Sequence, residues 1–157
     1  MVSNVDEFLD AMLPRQLAAE HALCRGDAGP RSETWSHHEP VTLFGAAAVR
    51  RGWDEVNSTS HWLAGRFTDL RDYELELLTS GASGDLAYTV GFEHKTVVVD
   101  GRLATYTLRV THVYRREDGV WKIVHRHGDH LSRDSGTAEN AAASRSAATP
   151  SPSGSAT

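Results

Sequence analysis

The sequence has one cysteine, no long apolar run and no cluster of basic residues. Cys24 has no partner for an internal disulfide, and its place in an amphipathic helical stretch predicts a small buried side chain. No apolar run approaches the roughly 20 residues that span a bilayer. Lys and Arg total 16 against 21 for Asp and Glu, without a basic stripe, which argues against nucleic acid and membrane surfaces as partners. We therefore expect a cytoplasmic protein.

The composition divides the chain into two parts. The total of 157 residues fits one domain with one core, and we assign that domain to residues 1–131. Residues 132–157 form a tail rich in Ser, Ala, Thr, Gly and Pro. Such a tail has almost nothing to bury, so we predict that it is disordered.

Three helices are predicted in the N-terminal half. Apolar residues recur at helical spacing over residues 5–23, where Pro14 predicts a kink or a break. A turn follows, and a short helix from Arg31 could carry Trp35. A third helix is predicted at about residues 53–67.

The remainder of the domain reads as sheet. A short strand follows Pro40, and four long strands are predicted near residues 69–79, 86–98, 103–116 and 120–130. The dipeptides at 100–101 and 118–119 are both Asp-Gly, which favours tight hairpins. Helices followed by a meander of antiparallel strands predict an α+β fold, with the helices against one face of the sheet.

The strand that begins at Leu103 has a mainly apolar set of side chains on one face and a mainly polar set on the other. One face carries Ala104, Tyr106, Leu108, Val110, His112 and Tyr114; the other carries Thr105, Thr107, Arg109, Thr111 and Val113. In one interpretation the apolar set is the core and the Thr/Arg set meets water. In the other, the Thr/Arg set lines a polar cavity and the apolar set forms a dimer interface. A bulge could also switch the register midway along a strand.

The last strand predicts a pocket. Strict alternation puts one set of side chains on a single face: Trp121, Ile123, His125, His127 and Asp129. A solvated face rarely needs a Trp and an Ile. We therefore expect this face to look into an enclosed space, with groups at its far end that can move protons or bind a polar ligand.

Several of these segments together resemble a known family. They include Gly52-Trp53, Leu108-Arg-Val-Thr111, Asp118-Gly-Val-Trp121 and His125-Arg-His127. Over about residues 5–131 the chain resembles the SnoaL-like branch of the nuclear transport factor 2-like superfamily. The resemblance implies a cone, in which a strongly bent antiparallel sheet wraps three N-terminal helices around an internal pocket.

The resemblance also bears on the two interpretations of the sheet. It implies that the side carrying Ala87, Arg109 and Thr111 faces the cavity. It implies further that the convex face of the sheet pairs with a second copy in a homodimer. It therefore favours the polar-cavity interpretation.

Enzymes with this fold include ketosteroid isomerases, scytalone dehydratases, limonene epoxide hydrolases and polyketide cyclases, beside members that only bind or assemble. The sequence departs from two of them. Phe44 stands where a ketosteroid isomerase would have its base. A limonene epoxide hydrolase would pair Arg with an Asp two residues later on a strand, but here Arg109 is followed two residues later by Thr111. Asp129 matches loosely the late-strand acid/base of the SnoaL-type cyclases.

Asp129 and His127 are the predicted catalytic pair. A carboxylate in an apolar cavity is suited to take a proton next to a carbonyl, and His127 could orient it or act as the acid. Arg109 could pair with Glu93 on the adjacent strand or hold an anionic ligand. Thr111, Trp35 and His125 complete the predicted ligand-binding set, although a core position is the simpler account of Trp35 and His125.

Two hypotheses from different classes follow. The first is a cofactor-independent acid–base enzyme (a cyclase, dehydratase or isomerase) that acts on a small apolar carbonyl compound. The second is a non-catalytic ligand-binding or assembly domain that holds a small carboxylate. A metal site at His125, His127 and Asp129 is rejected, because no helical His pair or second Cys supports it.

Overall fold

The computed structural model describes residues 3–132, so residues 133–157 of the predicted tail lie outside the described part. The helices are α1 (Asn4–Leu23), α2 (Gly29–Thr34) and α3 (Trp53–Ala64). The strands are β1 (Thr42–Gly45), β2 (Ala48–Arg51), β3 (Phe67–Ser83), β4 (Leu86–Val99), β5 (Arg102–Glu117) and β6 (Val120–His130). The predicted α+β cone, with helices packed on a curved and unclosed sheet, is confirmed.

The first helix, α1, packs against the inner face of the sheet. Its N-terminus is capped by the Ser3 hydroxyl, which accepts a hydrogen bond from the Asp6 amide at 3.2 Å. The helix continues through Pro14 rather than ending there. Phe8 and Met12 are fully buried on its sheet-facing side. Their burial against the sheet, rather than helical propensity, accounts for most of the stability of a helix of this kind.

The sheet has six strands in the order β2-β1-β6-β5-β4-β3. Neighbouring strands are antiparallel except β1 and β6, which run parallel. The Asp-Gly hairpins form as predicted, since Asp100 and Gly101 have φ of 51° and 82°, and Asp118 and Gly119 have φ of 50° and 79°. Strand β2 was not predicted. It pairs antiparallel with β1 at the edge of the sheet, and the chain continues from it into α3.

The apolar set of β5 faces the helices, so the polar-cavity interpretation is wrong. Val110, His112 and Tyr114 are buried on this inner face. Arg109 lies on the opposite, outer face, where it pairs in register with Phe92. Ala87 pairs with Tyr114 and is therefore an inner residue, which separates it from the Arg109 side.

A β-bulge in β6 changes which residues face inward. Val113 pairs with His125 and Tyr114 pairs with Ile123, which leaves Val124 as an extra residue. Before the bulge the inner residues are Trp121 and Ile123. After it the inner residues are Arg126, Gly128 and His130, while His125, His127 and Asp129 lie on the outer face.

Candidate functional site

A cavity of about 390 Å³ lies between α3 and the inner face of the sheet. Its walls are largely apolar, with Leu23, Leu43, Leu63, Phe67, Val99 and Leu108 among the lining residues. Trp62 of α3 borders it and is 58% exposed. A cavity of this volume accommodates a small organic molecule.

The polar side of the cavity is cationic. Arg31, Lys95 and Arg126 are all buried and all line it. The buried carboxylates among the described residues are Glu20 and Glu93, and neither lines the cavity. Three buried cations therefore stand against two buried carboxylates, and the surplus positive charge faces the cavity.

Glu93 holds the centre of this cluster. The Arg126 guanidinium donates to both of its oxygens, at 2.7 and 3.1 Å, and the Tyr73 hydroxyl donates at 2.7 Å. Burial alone would raise the pKa of Glu93, but Arg126 and Lys95 outweigh it and hold that pKa well below its ordinary value. Glu93 is therefore ionised and neutralises one of the cations.

His112 is the neutral member of the cluster. Its Nε2 lies 3.1 Å from an Arg126 nitrogen, and because a guanidinium can only donate, Nε2 accepts and the proton resides on Nδ1. Burial and the nearby Arg126 charge lower the pKa of His112 well below its ordinary value. The imidazole therefore adds no charge to the cluster.

Lys95 and Tyr106 have uncommitted donors that face the cavity. The Lys95 ammonium lies 3.6 Å from the nearest Glu93 oxygen, and within residues 3–132 neither it nor the Tyr106 hydroxyl makes a hydrogen bond. Burial opposes the charge of Lys95, but Glu93 and its other neighbours raise the pKa of the ammonium overall. Burial also raises the pKa of Tyr106. The cavity thus contains one cationic and one neutral donor.

Gly128 makes room for the Arg126 side chain. A Cβ at position 128 would lie 3.1 Å from an Arg126 guanidinium nitrogen, closer than ordinary van der Waals contact. The absence of a side chain therefore lets the guanidinium extend along the strand, where it reaches Glu93 and also lines the cavity.

Comparison with known proteins identifies the family of this chain. The family model of the SnoaL-like domain matches residues 18–129, which is most of the described chain. The chain belongs to the SnoaL-like family. Curated proteins, by contrast, include none that matches its sequence.

Solved structures share the SnoaL-like cone at low sequence identity. A ketosteroid isomerase-like protein from Erwinia carotovora atroseptica is 17% identical, with a TM-score of 0.67 over 81% of this chain and 98% of its own. A candidate dehydratase of the nuclear transport factor 2-like family from Streptomyces avermitilis is 18% identical, with a TM-score of 0.66 over 82% and 99%. At these identities the likeness establishes the fold alone and no particular activity.

The predicted catalytic pair of this SnoaL-like domain does not face the cavity. Asp129 makes a two-pronged ion pair with Arg109 on the outer face, at 2.9 and 3.0 Å. His127 is 3.8 Å from Asp129 on the same face. The predicted positions of these three side chains in the pocket are therefore wrong, because the bulge at Val124 turns this half of β6 over.

The predicted ligand-binding residues are also placed differently. Glu93 belongs to the inner cluster as the partner of Arg126 rather than of Arg109. Trp35 packs in the core with Phe8 and does not line the cavity. Thr111, on the outer face, pairs in register with His127.

His125 is half-buried on the outer face, where its Nδ1 lies 2.7 Å from the Thr42 hydroxyl. Burial lowers its pKa. Its place in the predicted ligand-binding set is therefore also wrong in position, and a histidine satisfied by a neighbouring strand describes it better.

Sequence reasoning missed Lys95, Tyr106, Arg126 and His130. One available signal was composition, since the sequence has only two lysines and one of them lies mid-strand in β4, at an inward position. The other signal was the second set of alternate residues in β6, because Arg126, Gly128 and His130 also share a face.

In residues 3–132 no helix is long and apolar enough to cross a membrane. Across the same residues no group of three or more His, Cys, Asp or Glu side chains is arranged to hold a metal ion.

Proposed function

We propose that this SnoaL-like domain binds a small apolar molecule with one anionic group, such as a carboxylate, in its internal cavity. The observation that carries the proposal is the Lys95 ammonium, which is buried, charged and without a hydrogen bond from the described residues. A buried charge is costly unless it is paired and hydrogen-bonded. A bound carboxylate would satisfy it and balance the surplus cation.

The apolar walls define the rest of the ligand. Leu63, Phe67 and Leu108 offer hydrocarbon and aromatic contacts, whereas the polar groups gather on the sheet side. Ligand sites of this kind use an apolar body for affinity and a few polar contacts for orientation. The holding of a small carboxylate, which the second of the two hypotheses assigned to Arg109, is thus retained with Lys95 in that place.

The test is calorimetric titration of the protein with 3-phenylpropanoate and with the neutral 3-phenylpropanol. We expect the acid to bind more tightly than the alcohol. Replacement of Lys95 by Met should weaken binding of the acid by about tenfold to a hundredfold, the scale of a hydrogen bond to a charged group. The alcohol should bind the variant as well as it binds the original protein.

The matched control is Lys122→Met. Lys122 is the only other lysine in the sequence, and its ammonium donates to the Glu33 carbonyl outside the cavity. This change removes the same charge from the protein and should leave binding of the acid unchanged. Equal losses in both lysine variants, or equal affinity for acid and alcohol in the original protein, would contradict the proposal.

We propose further that the convex outer face of the sheet pairs with a second copy of the chain. This face exposes Tyr88 and Phe44 by 44% and 39%. The charges of Arg109 and Asp129 between them are already matched to each other. Such a face combines apolar contact area with little net charge, which suits a self-complementary interface. Sedimentation velocity of the original protein and of Tyr88→Asp measures whether a dimer forms and whether this face makes it.

A further inference from the structure

Three groups with proton-transfer chemistry line one wall of the cavity. Lys95 and Tyr106 pair directly across β4 and β5, so both side chains project from the same face. His130 of β6 pairs with Leu108, two residues beyond Tyr106, and its ring centroid lies 5.3 Å from that of Tyr106. All three line the cavity. They therefore form a continuous patch across three adjacent strands.

The members of this patch have different chemical roles. Lys95 and Tyr106 are hydrogen-bond donors with no acceptor among the described residues. Two neighbouring donors match a ligand with two neighbouring acceptor oxygens, such as the carboxylate and keto groups of a 2-oxo acid. Among the described residues, His130 is the one imidazole that lines the cavity, and it makes no hydrogen bond with them. Its ring nitrogens are therefore available to a ligand.

We infer that the cavity enolises 2-oxo acids with an apolar side chain, with His130 as the general base. This inference rests on the proposed binding of an organic anion. The carboxylate pairs with Lys95, and the keto oxygen accepts a hydrogen bond from Tyr106. The apolar side chain occupies the Leu63 and Phe67 side of the cavity.

The step needs no further reactant. An imidazole nitrogen of His130 takes a proton from the carbon next to the keto group. The electron pair of the broken C–H bond forms a C=C bond, and the carbonyl π pair moves to oxygen. The negative charge that develops there is stabilised by the Lys95 and Tyr106 donors. Return of the proton from the imidazolium to oxygen gives the enol, and its return to carbon regenerates the keto acid.

Deuterium exchange of phenylpyruvate in D₂O tests the step directly. The loss of its benzylic proton signal is followed by NMR and compared with the rate in buffer alone. We expect the protein to accelerate the exchange and His130→Asn to reduce the acceleration by about 10²-fold, the lower end of the range for a general base. Binding of 3-phenylpropanoate by His130→Asn should be retained, which also reports that the variant is folded.

The controls separate this inference from the proposed function. His61→Asn, which changes an exposed histidine of α3, should exchange like the original protein. If 3-phenylpropanoate binds through Lys95 but phenylpyruvate exchanges no faster than in buffer, the enolisation is wrong and the binding function stands. If neither compound binds, both are wrong. If His127→Asn abolishes exchange and His130→Asn does not, the base lies on the outer face and the inference is overturned.

Discussion

The two faces of the sheet use ion pairs in opposite ways. On the inner face Glu93 is fully buried with Arg126 and Lys95. On the outer face the side chains of Arg109 and Asp129 remain 57% and 34% exposed, although their pairing is geometrically as good. Water solvates the outer pair whether or not it forms, whereas the buried inner charges depend on one another and on neighbouring polar groups such as the Tyr73 hydroxyl. Geometry alone therefore does not rank the two pairs; burial does.

Removal of the inner carboxylate should lower the free energy of unfolding more than removal of the outer one. Glu93→Gln keeps the shape of the side chain but leaves Arg126 and Lys95 without their counter-charge. We expect a loss of about 3–5 kcal/mol in the free energy of unfolding, the cost of uncompensated buried charge. Urea denaturation monitored by tryptophan fluorescence measures it. A loss below about 1 kcal/mol would place this pair in the class of exposed ion pairs.

Acid should weaken the inner cluster through His112. Because burial lowers the pKa of this imidazole in the folded protein, the unfolded chain takes up a proton below pH about 6.5 that the folded chain does not. The His112 contribution to stability is thus present above pH about 6.5 and is lost as the pH falls, by at most about 1.4 kcal/mol per pH unit. His125, whose pKa is also lowered, acts in the same direction.

His112→Gln isolates the contribution of the inner histidine. The variant should be less stable than the original protein at pH 8, and the difference should narrow as the pH falls below 6.5. Urea denaturation of both proteins at several pH values provides the measurement. A difference that stays constant with pH would mean that His112 takes up its proton over the same pH range in the folded and unfolded states, and would contradict the prediction.

Loss of the outer pair should have the smallest effect. Asp129→Asn removes the partner of Arg109 at the surface, and we expect a change of about 1 kcal/mol or less in the free energy of unfolding, reduced further by salt. Binding of 3-phenylpropanoate should be unaffected, because Asp129 does not line the cavity. Loss of ligand binding in this variant would restore Asp129 to the site.

Local patterns predicted most of the fold. Helical spacing located α1 and α3, and the Asp-Gly dipeptides located two hairpins, because these signals depend on neighbouring residues alone. The orientation of Arg109, His127 and Asp129 could not be obtained this way. It depends on the extra residue at Val124. The sequence does not reveal this bulge, because either set of alternate residues after it, the odd-numbered or the even-numbered, could plausibly face the cavity.

The inner cluster shows a second limit of sequence reasoning. Glu93 was correctly singled out, but its partner was chosen from the adjacent strand, whereas Arg126 reaches it from β6, across the whole width of β5. The Arg126 guanidinium needs room where it leaves β6, and Gly128, two residues further along the same strand, provides that room. Such a contact joins two segments that are distant in the sequence, and no periodicity in either of them encodes it.

The bulge at Val124 also has a consequence for the divergence of such domains. A single-codon insertion or deletion in β6 that shifts the pairing instead of being absorbed by a bulge would exchange the residues after it between the two faces, so that His127 and Asp129 would take the places of Gly128 and His130 or the reverse. One small genetic event could thus replace the polar groups of the cavity together with those of the opposite surface. Relatives aligned residue by residue across this position can match in letters while presenting different chemistry to their ligands.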